Sequence, residues 1–333
     1  MIHTFKSHSR LGDAGLMLVA PLLVFLGITG SSRFGVTRSS RDAEGQARIA
    51  VTVSLVLLPV KVTDAHGTFV SGLKGDDFRV FEDGQLQKLT VFEDEDSPVT
   101  VGLVVDHSRS MGSKLPDVIS AVSSFAHSSN PQDEMFVVDF NDDVSIERMN
   151  GKSFSNDAKD LEKALTAVSA HGRTALYDAV SEGLHHLQYG HLEKKALIII
   201  SDGGDNASHL KYSQVLALAR QSHSMIYSIA LLGSDEEENP ELLRRLCKDT
   251  GGVTYIPRAG ESVASVSTEI ARDLREQYTL GYVPQNRKRD DSFRKIEVKV
   301  TVPGRGRLRV RTRKGYSPAA EMPPAAQSGP GTK

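Results

Sequence analysis

Apolar and polar positions alternate from Ile49 onward: Val51, Val53, Leu55 and Leu57 are separated by Thr52, Ser54 and Val56, and Val60 and Val62 carry the run to Asp64. A period of two is the mark of a strand with one face buried. Ala65-His66-Gly67 reads as a turn, Phe78–Phe81 as a short strand, Glu82-Asp83-Gly84 as a hairpin turn and Leu86–Phe92 as the returning strand. The acidic run Glu93–Asp96 reads as a solvated connector. It lacks the ligand spacing of a calcium-binding EF-hand loop.

From Pro98 the rhythm changes. Val99–Val105 is apolar on both parities, as expected of a parallel strand buried on both faces, and Ala196–Ser201 repeats the pattern. Further strands are predicted at Met135–Phe140, Val144–Met149, Met225–Leu232 and Val253–Ile256. Between them, helical spacing marks Leu115–Ala126, Ala158–Val168, Thr174–Leu187, Val215–Gln221, Pro240–Lys248 and Glu261–Glu276. Strands alternating with helices predict an α/β fold with a doubly wound, mostly parallel sheet over residues 98–276.

After Gln277 strands return without helices, at Tyr278–Val283, Phe293–Val302 and Leu308–Arg313. Neither half of this β material is large enough to bury a good core alone. Residues 48–97 and 277–317 are therefore expected to pair into one small β-sandwich, with the α/β domain inserted between them. Arg305, Arg307, Arg309, Arg311 and Arg313 fall on one parity and predict a solvated outer face opposite Leu308 and Val310. Contact with polyanions at a cell surface is the weaker alternative for that stripe. The stretch 318–333, rich in Pro, Ala and Gly, is expected to be disordered.

The N-terminus reads as a targeting segment. Lys6 and Arg10 precede an apolar run, Ala14–Ile28, that is short for a membrane span, and small residues follow at Thr29–Ser32. Residues 1–31 are thus an export signal or an uncleaved anchor, and 32–47 a polar linker. Either reading places the protein outside the cytoplasm: periplasmic, on the cell surface or secreted. Contact with a membrane would then come only through such an anchor.

Composition adds exclusions. A net charge of −2 gives no global field that would draw nucleic acid or an anionic membrane. The single cysteine, Cys247, rules out an internal disulfide, and its place among helically spaced apolar residues predicts a buried structural thiol.

The candidate chemistry lies at strand ends. Val99–Val105 runs into Asp106-His107-Ser108-Arg109-Ser110, which offers one carboxylate and two hydroxyls at alternate positions. Thr174 stands at a loop-to-helix junction, where a hydroxyl is also a common helix cap. Asp202 ends the second buried strand. These are hard oxygen donors suited to magnesium, calcium or manganese. His107 and His171 leave a metal-assisted hydrolase as a rival function. Against it, no Gly-x-Ser-x-Gly nucleophile elbow is present, the Asp106 loop lacks the second carboxylate of an Asp-x-Asp phosphotransferase, and both histidines read as exposed loop residues. Dinucleotide binding fails because no Gly-x-Gly-x-x-Gly follows Val105.

Asp-x-Ser-x-Ser after an apolar strand, then Gly172-Arg173-Thr174-Ala175-Leu176-Tyr177-Asp178, then Ile199-Ile200-Ser201-Asp202-Gly203, resembles the von Willebrand factor type A domain. Phe78–Gly84 and Arg313–Ser317 extend the resemblance to the bacterial, acidobacterial-type family called VWFA-related. The resemblance implies a metal-ion-dependent adhesion site built from Asp106, Ser108, Ser110, Thr174 and Asp202. It further implies a magnesium ion, or calcium or manganese in its place, left with a coordination position open to an Asp or Glu carboxylate of a protein partner. Adhesion or scaffolding without catalysis follows as the expected function. A structural domain whose site goes unused is the remaining alternative. Many members of the family have Gly between the two serines, where this chain has Arg109; the position supplies no ligand.

Overall fold

The structure is a computed structural model describing residues 55–318, apart from residues 95, 234–237, 259, 289 and 291. The segments read above as export signal and linker, and all but the first residue of the Pro/Ala-rich tail, lie outside the described residues. Among the described residues, no helix is long and apolar enough to cross a membrane.

Six strands form the central sheet: β5 (Val99–Asp106), β6 (Glu134–Phe140), β7 (Val144–Ile146), β8 (Lys194–Ser201), β9 (Met225–Ala230) and β10 (Thr254–Tyr255). Their order is β10-β9-β8-β5-β6-β7, parallel throughout except for β7, which turns back against β6. Every residue of β5 is buried, as its unbroken apolar pattern requires of a strand covered on both sides. Six helices accompany the sheet: α1 (Leu115–Ser128), α2 (Ala158–Thr166), α3 (Leu176–His186), α4 (Tyr212–Gln221), α5 (Pro240–Thr250) and α6 (Val263–Arg275). They pack as two groups, α1 with α2 and α6, and α3 with α4 and α5. Val104, Leu197 and Ile199 are fully enclosed in the resulting core, where truncating a leucine to alanine costs about 2–5 kcal/mol. Cys247, on α5, lies in the same core, and burial pushes its thiol up to about 11, so it stays an inert packing group.

Two four-stranded antiparallel sheets are built from the flanks. One has the order β13 (Arg309–Arg311), β1 (Val56–Thr63), β11 (Tyr278–Tyr282), β4 (Leu89–Glu93). The other runs β14 (Gly315–Tyr316), β12 (Arg294–Val300), β2 (Phe78–Glu82), β3 (Gln85–Gln87). They share one apolar core, containing Leu58, Val60 and Val62 of β1, Phe78 and Val80 of β2, and Tyr278 and Leu280 of β11. The β2–β3 hairpin turns on Asp83 and Gly84, with φ of 49° and 82°, the paired left-handed geometry that twists a two-residue loop in step with its strands.

Three local expectations are corrected here. Leu86–Phe92 is not one strand: β3 pairs with β2, whereas β4 pairs with β11, so the chain changes sheets at Lys88. The Val144–Met149 strand ends at Ile146. The arginine stripe is not uniformly solvated. Only Arg309–Arg311 is strand, and from its last residue onward the chain touches the α/β domain. There Arg311 pairs with Asp273 of α6, and Arg313, 2% exposed, donates to the carbonyls of Gly315 and Arg220.

Candidate functional site

Strands β5 and β8 are neighbours at the centre of the sheet, in register Val105 to Ile200. Asp106 therefore stands level with Ser201, and Asp202 one step further on. The chain leaves β5 toward β6 on one side and β8 toward β9 on the other. Such a switch in winding direction opens a crevice outside the carboxyl ends of the two strands, where open α/β sheets bind ligands.

Four of the five expected side chains form one hydrogen-bonded cluster in that crevice. Asp106, wholly enclosed, accepts the amide of Ser108 at 2.8 Å on Oδ1 and the hydroxyl of Ser201 at 2.7 Å on Oδ2. The hydroxyls of Ser108 and Ser110 meet at 3.1 Å, and Ser110 donates to Oδ2 of Asp202 at 2.7 Å. Asp202 accepts the amide of Gly204 on Oδ1. Gly203 holds the turn between them at φ +85°, and a Cβ there would press on the Asn239 carbonyl at 2.6 Å, so only glycine suits the position.

Thr174 is buried beside this cluster but joined to it through backbone. The 107–109 loop and the 171–172 loop are tied by His171 N to His107 O at 3.0 Å and Arg109 N to Gly172 O at 3.4 Å. Thr174 donates its amide to Asn206 Oδ1, and its carbonyl accepts the amides of Asn206 and Ala207. Among the described residues no hydrogen bond joins its hydroxyl to the other four. Nor does Thr174 cap α3: Ala175 holds the cap position, and the helix's first amides are met from the loop after β8, by Asp205 and Ser208 on Tyr177 N. Asp178 returns the contact by accepting the amides of His209 and Leu210, which staples that loop to α3.

His107 is not an exposed loop residue. It is fully buried and pairs through Nδ1 with Asp139 of β6. Burial alone would discharge the ring; the Asp139 carboxylate outweighs it and holds the pKa above the ordinary histidine value. His171 is exposed as expected, with Nδ1 on the Ser169 carbonyl at 2.8 Å. Sequence assigned no role to Ser201 or Asp139, and none in holding α3 to Asp205 and Ser208. Ser201 had a readable signal, since it immediately precedes Asp202 at the end of a buried strand.

The donor set suits a hard cation. Burial pushes Asp106 up to about 6, against the pull of its hydrogen bonds from Ser108 and Ser201, and the charge of Asp202 raises it further. Among the described residues no basic side chain pairs with Asp106. A buried carboxylate of this kind is uncompensated, a charge that a bound cation would offset. Among the described residues no three His, Cys, Asp or Glu side chains are grouped so that they alone could hold a metal ion. Any cation here would thus depend on neutral hydroxyls, from Ser108, Ser110 and Thr174, as well as on Asp106 and Asp202.

Residues 100–269, just over half of the chain, match the von Willebrand factor type A domain. The chain belongs to the von Willebrand factor type A domain family. Its type A domain spans β5 to the middle of α6 and contains the whole crevice. Inter-alpha-trypsin inhibitor heavy chain H2 of Mus musculus is 24% identical over 198 residues, which are 54% of this chain; the chain spans only 21% of that relative's length. Among solved structures, the von Willebrand factor type A protein from Catenulispora acidiphila superposes with a TM-score of 0.48 at 11% identity, covering 80% of this chain and 74% of that one. The vWF domain of the type V pili tip protein Mfa5 from Porphyromonas gingivalis gives 0.42 at 13% identity, covering 54% and 95%.

Proposed function

We propose that the protein binds a protein partner through a divalent cation held by Asp106, Ser108, Ser110, Thr174 and Asp202, and that it catalyses no reaction. The observation that carries this reading is the Ser108–Ser110–Asp202 hydrogen-bonded chain lying next to the enclosed Asp106 carboxylate. Neutral hydroxyls in the donor set leave most of a cation's charge unspent, so the ion stays electrophilic toward an outside carboxylate. An Asp or Glu of the partner fits that demand, with magnesium, calcium or manganese as the ion. Adhesion or scaffolding outside the cytoplasm is the role this chemistry serves.

The hydrolase alternative loses support from His107. That imidazole is enclosed and held by Asp139, so it has no free face to offer a water molecule.

The test is calorimetry of the full chain with magnesium, calcium and manganese chlorides. It is followed by capture of acidic proteins from the native envelope in magnesium and in chelator. Uptake of one ion per chain, lost in Asp106→Ala, together with chelator-sensitive capture, is the expected result. Capture that persists in chelator or in the variant would defeat the proposal.

A further inference from the structure

Lys114, just before α1, brings the only basic side chain that pairs with either crevice carboxylate among the described residues. Its ammonium donates to the carbonyl of Leu231, beyond the end of β9, at 2.6 Å. It lies 3.9 Å from Asp202 Oδ2, the same oxygen that accepts the Ser110 hydroxyl, and 3.8 Å from Glu238 Oε1. Lys114 is 19% exposed, Asp202 5% and Glu238 12%, so little water screens the three charges. Glu238 is itself fixed by the amide of Gly233, donated to the same Oε1. One held positive charge thus stands between a crevice carboxylate and a second carboxylate outside it.

We propose that Lys114 is a resident counter-charge that sets the affinity of the crevice for divalent cations, with Glu238 drawing part of that charge away from Asp202. The inference rests on the metal-binding reading above. A fixed ammonium at this distance offsets the charge of Asp202 and repels any second cation entering the crevice. The lysine stem and its bond to Leu231 keep the ammonium from swinging into solvent, so the repulsion is built in. Glu238 works in the opposite sense, since it supplies a competing anion on the far side of the ammonium. Lys114 is therefore a positioning and tuning residue that need not touch the ion. The consequence is a crevice in which the charge of Asp202 is partly offset while that of Asp106 is not, so that it takes up its ion more weakly than two free carboxylates would.

The test is calorimetric titration of the full chain and three variants with magnesium and manganese chlorides at fixed ionic strength. Circular dichroism and melting in chelator confirm that each variant is folded. Lys114→Met, which keeps the aliphatic stem and removes the charge, should tighten ion binding by about fivefold or more. Lys114→Arg keeps the charge and should stay within about twofold of the parent, while Glu238→Gln should weaken binding. Equal or weaker binding by folded Lys114→Met, or the same change in Lys114→Met and Lys114→Arg, would overturn the inference and leave the metal-binding reading standing. No uptake by parent or any variant would overturn both. A silent parent beside a binding Lys114→Met would support the inference in its strongest form.

Discussion

Ser110 Oγ donates to Asp202 Oδ2 across 2.7 Å, although 92 positions of sequence separate the two residues. The contact exists because β5 and β8 lie side by side and both end at the same edge of the sheet. Having given its proton to Asp202, the serine hydroxyl accepts from Ser108, and so fixes the spacing between the first loop and the third. Ser110→Ala should weaken divalent-ion binding by about tenfold or more, as loss of an orienting group at a metal site does. It should also lower stability in chelator by roughly 1.5 kcal/mol, the lower end for a hydrogen bond to a charged group. Calorimetry and urea melts check the two effects separately, and unchanged ion binding would remove Ser110 from the site.

Asp106 gives a prediction of opposite sign for stability and for binding. Its carboxyl is raised from 3.8 to about 6 in the folded protein, so between those values the folded state holds a proton that the unfolded chain has lost. Stability without metal should therefore rise as pH falls through 6 toward 4, and be penalised above 6. Asp106→Asn preserves the shape and can still accept the Ser108 amide. In chelator at pH 7 it should be more stable than the parent by about 3 kcal/mol, a gap that closes near pH 4. Magnesium at about a thousand times its dissociation constant adds roughly 4.1 kcal/mol to the parent alone and reverses the order. Urea melts of both proteins with and without chelator decide it; an asparagine variant less stable in chelator at neutral pH would contradict the argument.

The central sheet was legible because β5 and β8 are apolar on both parities, a pattern that a half-exposed strand cannot carry. For Leu86–Phe92, His107, the start of α3 and the arginine stripe, the cause of the misreading was a partner far along the chain. Leu86–Phe92 alternates smoothly, and nothing local reveals that its two halves pair with different sheets. His107 sits among polar loop residues, yet the chain passes close enough to β6 for Asp139 to enclose it. The first turn of α3 found its cap in Asp205 and Ser208, across the crevice rather than in the preceding residue. Arg311 and Arg313 kept the parity of a solvated stripe while their acceptors lay on α6 and α4. The order and spacing of Asp106, Ser108, Ser110, Thr174 and Asp202 could be read from sequence, whereas the charges flanking them, Lys114 and Glu238, could not.

Asp273 of α6 joins the α/β domain to the flanking sheets. It is 5% exposed and receives Lys61 of β1 at 2.7 Å, the Tyr227 hydroxyl of β9 at 2.7 Å, and Arg311 of β13. Burial would raise its carboxyl, but Arg311 and Lys61 outweigh that and hold it below the ordinary value. With the folded pKa depressed, its contribution is present above the unfolded value near 3.8 and fades as pH falls through the folded one. Asp273→Ala strips Arg311 of its carboxylate and leaves Lys61 to Glu276 alone, at 3.1 Å, and should cost about 3 kcal/mol at pH 7. Ion binding at the crevice, at the opposite end of the sheet, should be unaffected. A stability loss under about 1 kcal/mol would show that the two cations find water instead.

Lys194, at the start of β8, supplies the converse case. Its ammonium donates to the Leu274 carbonyl in the last turn of α6, a placement that suits the negative end of a helix. Burial nevertheless pushes it down to about 8 from 10.5, against the pull of Asp96, Asp133, Asp273 and Glu93. A lysine whose folded pKa is depressed sheds its proton earlier in the folded state. Below pH 8 both states are charged and the burial penalty is constant; from 8 to 10.5 the unfolded chain holds the extra proton, so stability rises with pH. Lys194→Met removes this dependence while keeping the stem packed. The stability of the parent minus that of the variant should climb by about 2 kcal/mol between pH 8 and 10.5, whatever the other titrating groups contribute to each protein. Denaturant melts across that range test it, and a flat difference would mean that the ammonium is better solvated than its position against α6 implies.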